Sequence, residues 1–167
     1  IAANFQIRAA VSGAVHKHLR KENFLEVQTP KIIASATEGG TSLFEMKYFD
    51  KTAYLAQSPQ LYKQMLMSGG LERVYEIGPA FRAEEHNTPR HLNEFISIDI
   101  EMSFADDDVV MGVMERLVDS ASRAVAKEIE ALEVLGMKPI ELQLPLPRIT
   151  YDEAVEMSNG KAEWGED

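Results

Sequence analysis

The sequence predicts an α+β fold in which a mostly antiparallel sheet is flanked by helices. Three observations lead there: an apolar stripe of helical period near the start, a strictly alternating strand over residues 95–102, and a second long helical stripe directly after it. With 167 residues, 45% of them apolar, the chain is long enough for one domain with its own core.

Ile7, Val11, Val15 and Leu19, with Ala14 and His18 beside them, recur at helical spacing over residues 5–21. His16 and His18 on this helix are expected at the surface or on a dimer face. After Glu22-Asn23, residues 24–27 read as a strand closed by Pro30, which cannot donate to a sheet ladder. Residues 35–42 are small and polar around Gly39-Gly40, a loop whose backbone can approach a ligand closely. Phe44, Met46 and Tyr48 alternate with Glu45 and Lys47, and beyond Asp50-Lys51 comes the partner stretch 52–57, so this is a hairpin. Its aromatics Tyr48, Phe49 and Tyr54 read as core. Ser58 as N-cap, Pro59 in the first turn and Gly69-Gly70 as a stop define a helix over 59–68. Gln60 and Lys63, three apart, share one face of it, which on spacing alone is a solvated face.

Residues 73–77 and 81–85 read as strands parted by Gly78-Pro79, and a polar loop over 86–93 leads to the next strand. There Ile96, Ile98, Ile100 and Met102 point one way, as core, while Phe95, Ser97, Asp99 and Glu101 point the other. Pairing across the loop would place Arg82, Glu84, Asp99 and Glu101 on one sheet face. Asp106, Asp107 and Asp108 suit the N-terminus of a helix whose stripe Val110, Val113, Leu117, Ala121, Ala124 and Val125 covers the apolar face. The stretch LPLPRI is too proline-rich for a central strand, and Thr150 with Glu153 forms a capping box that opens a short last helix ending near Asn159-Gly160.

The absence of cysteine excludes disulfides, a thiol nucleophile and cysteine-held zinc. No run approaches ~18 apolar residues and no leader precedes Phe5, so the chain reads as unprocessed and cytoplasmic, with no membrane role. It starts at Ile1 and stops in a polar run after Trp164, which reads as a piece of a longer protein. A net charge of −10 argues against a general nucleic-acid-binding module, because the chain as a whole repels a polyanion. A focused basic site is compatible with it. Arg82 on a strand, followed by a loop with Arg90 and His91, is an arrangement that grips a polyphosphate, since guanidinium groups bind phosphate oxygens bidentately and stay charged. Phe95 at the loop's end can stack on a base. On spacing alone the competing reading is a solvated charged strand, and a zinc pair of His86 and His91 lacks an organised third ligand.

The string FRAEEHNTPRHLNEF, residues 81–95, resembles the second signature motif of class II aminoacyl-tRNA synthetases, and ENFLEVQTPKI, residues 22–32, resembles the first. ATEGGTSLFEMKYF, AYLAQSPQLYKQ, RVYEIGPAFRAEE, SIDIEMSF and WGED resemble the archaeal type of aspartyl enzyme in the same order, over most of the chain. The resemblance implies an aspartate–tRNA ligase that uses ATP with magnesium, and a homodimer formed through residues 22–32. It implies that Glu38 holds the substrate's amino group, Gln60 hydrogen-bonds the aspartate, Lys63 pairs with its side-chain carboxylate and Asp99 helps build that pocket. Arg82 would be the catalytic residue, touching both the α-phosphate and the aspartate carboxylate. Glu84 and Leu92 would line the ATP site, Arg90 and His91 would hold the distal phosphates, and Phe95 would stack on adenine. The chain departs from the family in lacking its third motif, the magnesium-holding acids and the anticodon-binding barrel. As it stands it is therefore expected to be the N-terminal part of the catalytic domain, with no metal ligands and no activity alone. The rival readings are an asparaginyl-tRNA synthetase, an asparagine synthetase derived from the same fold and a non-catalytic paralogue. Lys63 argues against the first, since a buried ammonium suits a carboxylate better than an amide.

Overall fold

The computed structural model describes residues 1–35, 43–83, 85 and 92–158. Among these, the elements run α1 (Ala2–Lys21), β1 (Leu25–Glu26), β2 (Ile32–Ile33), β3 (Glu45–Tyr48), β4 (Lys51–Leu55), α2 (Gln60–Ser68), β5 (Arg73–Phe81), β6 (Glu94–Met102), α3 (Asp107–Val125), α4 (Ile129–Leu135) and α5 (Tyr151–Met157). One sheet has the order β1-β5-β6 and the other β2-β4-β3. Only β1 and β5 run parallel; every other pairing is antiparallel, as expected for this α+β class.

The anticipated break at Gly78-Pro79 does not occur, because β5 runs unbroken through it, paired with β6 from Arg73↔Met102 to Phe81↔Glu94. The physical reason lies in which side each backbone group faces. Tyr75 accepts from Val27 on the β1 side, and Phe81 donates to the Ala56 carbonyl, so the odd-numbered groups of β5 point away from β6. β1 pairs only with Val74 and Tyr75, so at Pro79 the missing N–H deprives no ladder partner. Of the second strand expected there, over 81–85, Phe81 alone is strand among the described residues.

The core closes around Val15, Leu19, Phe24, Tyr75, Val113 and Leu117, with Val11, Ile77, Ile100 and Met102 packed against it. Each fully buried aliphatic or aromatic side chain contributes about 1.5–3 kcal/mol of apolar transfer. α3 was expected to cover the whole apolar sheet face, yet it lies along α1 and leaves Ile96 and Ile98 50% and 41% exposed, beside Phe5, Ile7 and Val11. The hairpin aromatics also correct the expectation: Tyr48 and Phe49 stack edge-on, exposed at the turn, and Tyr54 is half-buried. Alternation assigned their side of the strand but not whether anything lay against it. β2 and α4 carried too few periodic residues to be anticipated.

The last helix uses the capping box legible in the sequence, and α3 is capped by the first of its three leading acids. Asp106 accepts from the Val109 N–H at 3.0 Å, and Thr150 and Glu153 form the reciprocal capping box. His16 and His18 are half-buried, not fully exposed surface residues: His16 Nδ1 is hydrogen-bonded to the Tyr75 hydroxyl at 2.9 Å, and His18 Nε2 lies 3.2 Å from Glu22 without a hydrogen bond. Glu22 also takes a bidentate grip from Arg116, at 2.7 and 2.9 Å, tying the end of α1 to α3. The Arg116 hydrogen bonds hold the Glu22 carboxyl below its ordinary range. A carboxyl depressed in the folded state stabilises it above the unfolded value of about 4.3, and that gain is lost as pH falls through the folded value. Glu22→Gln is therefore expected to cost about 1 kcal/mol at pH 7 and progressively less below about pH 4, read by urea melts across that range. A cost independent of pH would remove this account.

Candidate active site

The second face of the β1-β5-β6 sheet is polar. By register it carries Val74, Glu76, Gly78 and Ala80 from β5 against Glu101, Asp99, Ser97 and Phe95 from β6. The predicted co-location of Arg82, Asp99 and Glu101 holds. Arg82 extends the ladder by one step beyond β5: its N–H donates to the Asn93 carbonyl at 2.9 Å, and Asn93 Nδ2 donates back to the Arg82 carbonyl at 2.8 Å.

Lys63 projects onto this face from α2 and is 2% exposed, so the solvated-face reading fails for it. Its ammonium donates to Asp99 Oδ1 at 3.1 Å and to the Ile100 carbonyl at 3.2 Å, and lies 3.4 Å from Glu101 Oε2. Ser97 Oγ donates to the other Asp99 oxygen. An isolated buried ammonium costs several kcal/mol, which explains why two carboxylates and a carbonyl converge on it. Ser58 Oγ accepts from the Gln60 N–H at 3.2 Å, performing the capping role its position suggested, although Pro59 occupies the cap residue itself. Gln60 is half-buried on the adjoining turn.

Directly across the strands from Asp99 stands Glu76, 1% exposed. Like charges opposite each other in a sheet repel, and here each carboxylate has its own lysine. Glu76 is held by Lys31 Nζ at 2.7 Å and by the Thr29 hydroxyl and N–H at 2.7 and 3.2 Å. Gly78 keeps the space open, since a Cβ there would sit 3.1 Å from Glu76 Oε1 and 3.5 Å from Lys31 Cε. Sequence reasoning missed this cluster. Its signal was an acid between Tyr75 and Ile77 in an otherwise apolar strand, and a lysine directly after the strand-closing Pro30.

At the far end of the face the Arg82 guanidinium lies over the Phe95 ring, 5.4 Å from its centroid, and its buried Nε has no hydrogen-bond partner among the described residues. A buried donor left open is costly, so this one is available to an incoming acceptor. Leu92 is exposed beside the loop's end. Glu38, Glu84, Arg90 and His91 lie outside the described residues, as does His86. Among the described residues no group of three acidic or histidine side chains is placed to hold a metal. The carboxylates of the face are instead engaged by lysines.

A mostly antiparallel sheet flanked by helices thus carries an arginine, an aromatic ring and a lysine–carboxylate cluster on one face. The chain matches the model of class II tRNA synthetases (D, K and N) over residues 1–164 and belongs to that family. It is 57% identical to an aspartate–tRNA(Asp/Asn) ligase of Archaeoglobus fulgidus, over all of this chain and 40% of that protein. It is 52% identical to an aspartate–tRNA(Asp) ligase of Thermoplasma acidophilum, over 94% of this chain and 37% of the relative. Among solved structures it resembles the asparaginyl-tRNA synthetase of Pyrococcus horikoshii complexed with asparaginyl-adenylate, with a TM-score of 0.84 and 36% identity over 99% of this chain and 40% of that one. The chain thus spans about 40% of the length of the curated relatives it matches. No helix of the described residues is long and apolar enough to cross a membrane.

Proposed function

We propose that the chain is the N-terminal part of the catalytic domain of an aspartate–tRNA ligase that activates L-aspartate with ATP and passes it to tRNA(Asp). The observation that carries this reading is the buried Lys63 ammonium on the same sheet face as Arg82 and Phe95. A fixed cation in a pocket of low exposure favours a carboxylate side chain over the neutral amide of asparagine. In this reading Gln60, Lys63 and Asp99 form the amino-acid pocket, and Glu38 holds the amino group. Arg82 bridges the aspartate carboxylate and the α-phosphate, and Phe95 stacks on adenine, with Glu84, Arg90, His91 and Leu92 around the ATP.

The aspartate carboxylate attacks the α-phosphorus in line, pyrophosphate leaves, and the adenylate then esterifies the terminal ribose of the tRNA. Positioning and charge neutralisation supply the rate, with no covalent enzyme nucleophile. Magnesium accompanies ATP as its phosphate counter-ion. The dimer contact is assigned to residues 22–32 and the compartment to the cytoplasm. The test is ATP–pyrophosphate exchange by the full-length protein with aspartate and with asparagine as the amino acid. Exchange is expected with aspartate alone; a protein that responds to asparagine and not to aspartate is an asparaginyl enzyme, and the reading is wrong.

A further inference from the structure

The aspartate reading leaves an electrostatic question on the sheet face. Lys63 carries one positive charge and already faces two carboxylates, Asp99 and Glu101, while also donating to the Ile100 carbonyl. A substrate carboxylate arriving there meets an ammonium that already faces two carboxylates and a carbonyl, in a pocket of net negative charge.

The three acceptors are not held equally. Asp99 is 3.1 Å from Nζ and its second oxygen accepts from Ser97, so it is fixed at both ends. The Ile100 carbonyl belongs to a paired strand. Glu101 is the most distant, at 3.4 Å, and Lys63 is its only side-chain partner among the described residues. Its side chain is 22% exposed against 3% for Lys63, so Glu101 can turn to water where the lysine cannot.

We propose that Glu101 is a displaceable stand-in for the substrate's side-chain carboxylate, and that its displacement sets the preference for aspartate. This rests on the aspartate reading above. With the site empty, Glu101 holds the third position around the buried ammonium. On binding, the aspartate carboxylate takes that position and Glu101 swings to solvent. One carboxylate exchanges for another, so the pocket's charge balance is conserved. Asparagine offers a neutral amide in exchange for an ion and leaves that balance worse, so the competition discriminates against it. Glu101 is thus a specificity-determining residue acting through Lys63, and it lowers the affinity for the correct substrate in return for rejecting the amide.

That account fixes the sign of a mutational effect that a merely structural role would not produce. In the full-length protein Glu101→Gln removes the competing charge, so the aspartate KM in ATP–pyrophosphate exchange is expected to fall about fivefold or more, with the ATP KM unchanged. Calorimetric titration of aspartate without ATP should show the same gain in affinity. An aspartate KM that stays level or rises in a variant that melts like the wild type overturns the proposal. If Glu101→Gln does not fold, Glu101→Asp serves instead: its carboxylate is one methylene short of Lys63, the same fall is expected, and a level or raised KM again overturns the proposal. A wild-type protein that activates no aspartate overturns the underlying reading itself, and that failure is distinguishable because it appears before any variant is made.

Discussion

Replacing Arg82 with alanine in the full-length protein is expected to lower aspartate-dependent ATP–pyrophosphate exchange by about two to three orders of magnitude, the range seen when a fixed donor to developing charge is removed. The fold should be indifferent to the change. The described contacts of Arg82 that hold structure are its backbone bonds to Asn93, which alanine keeps, and the stacking over Phe95. Its buried Nε has no acceptor among the described residues, which leaves that donor for a ligand. Arg82→Lys should rescue poorly, because a point charge cannot reproduce a planar fork. Exchange within tenfold of wild type in Arg82→Ala, with normal melting, would show that the guanidinium does not meet the reacting phosphate.

Lys63→Leu is expected to raise the aspartate KM at least about tenfold while the ATP KM stays level. Leucine fills most of the volume of the lysine stem but leaves Asp99 and Glu101 facing each other with no cation between them. Both acids are 22–23% exposed and can recover water, so the variant should fold at neutral pH. The pocket then turns from cation-centred to anionic, and a substrate carboxylate is repelled where it was held. Asparagine should not gain correspondingly, because its amide has no use for two bare carboxylates in a narrowed pocket. Unchanged aspartate kinetics would remove Lys63 from substrate recognition and with it the argument against asparagine.

Much of this was legible in the sequence, for identifiable reasons. The alternation Phe95, Ser97, Asp99, Glu101 set against Ile96, Ile98, Ile100, Met102 fixed both faces of β6 before any partner was known, since the side-chain period of a strand admits one solution. Thr150 with Glu153 defined its cap by local hydrogen bonding alone, and the acids before the α3 stripe marked that helix's start. What periodicity could not supply was burial. Lys63 looked like a surface residue of a short helix and is enclosed, while Phe49 looked like core and is 80% exposed. Both depend on what packs opposite, which is a long-range property. The Glu76–Lys31 pair was hidden for the same reason: its members are 45 residues apart, the difference between positions 76 and 31, and become neighbours only when residues 29–31 fold against β5. The continuity of β5 through Pro79 likewise turned on the short reach of β1, four strands earlier in the chain.

The geometry of β6 bears on how the protein behaves in a tube. It is the outer strand of its sheet among the described residues, nine residues long, with Ile96 and Ile98 half bare on one side. A long edge of this kind is a template for pairing with another copy, and the exposed charge of Glu94 at its start works against that. Colloidal stability is therefore borrowed from ionised carboxylates. Buffers near the isoelectric point of about 4.9, or concentrated salt, strip away that protection, so purification and storage belong well above it and at modest ionic strength.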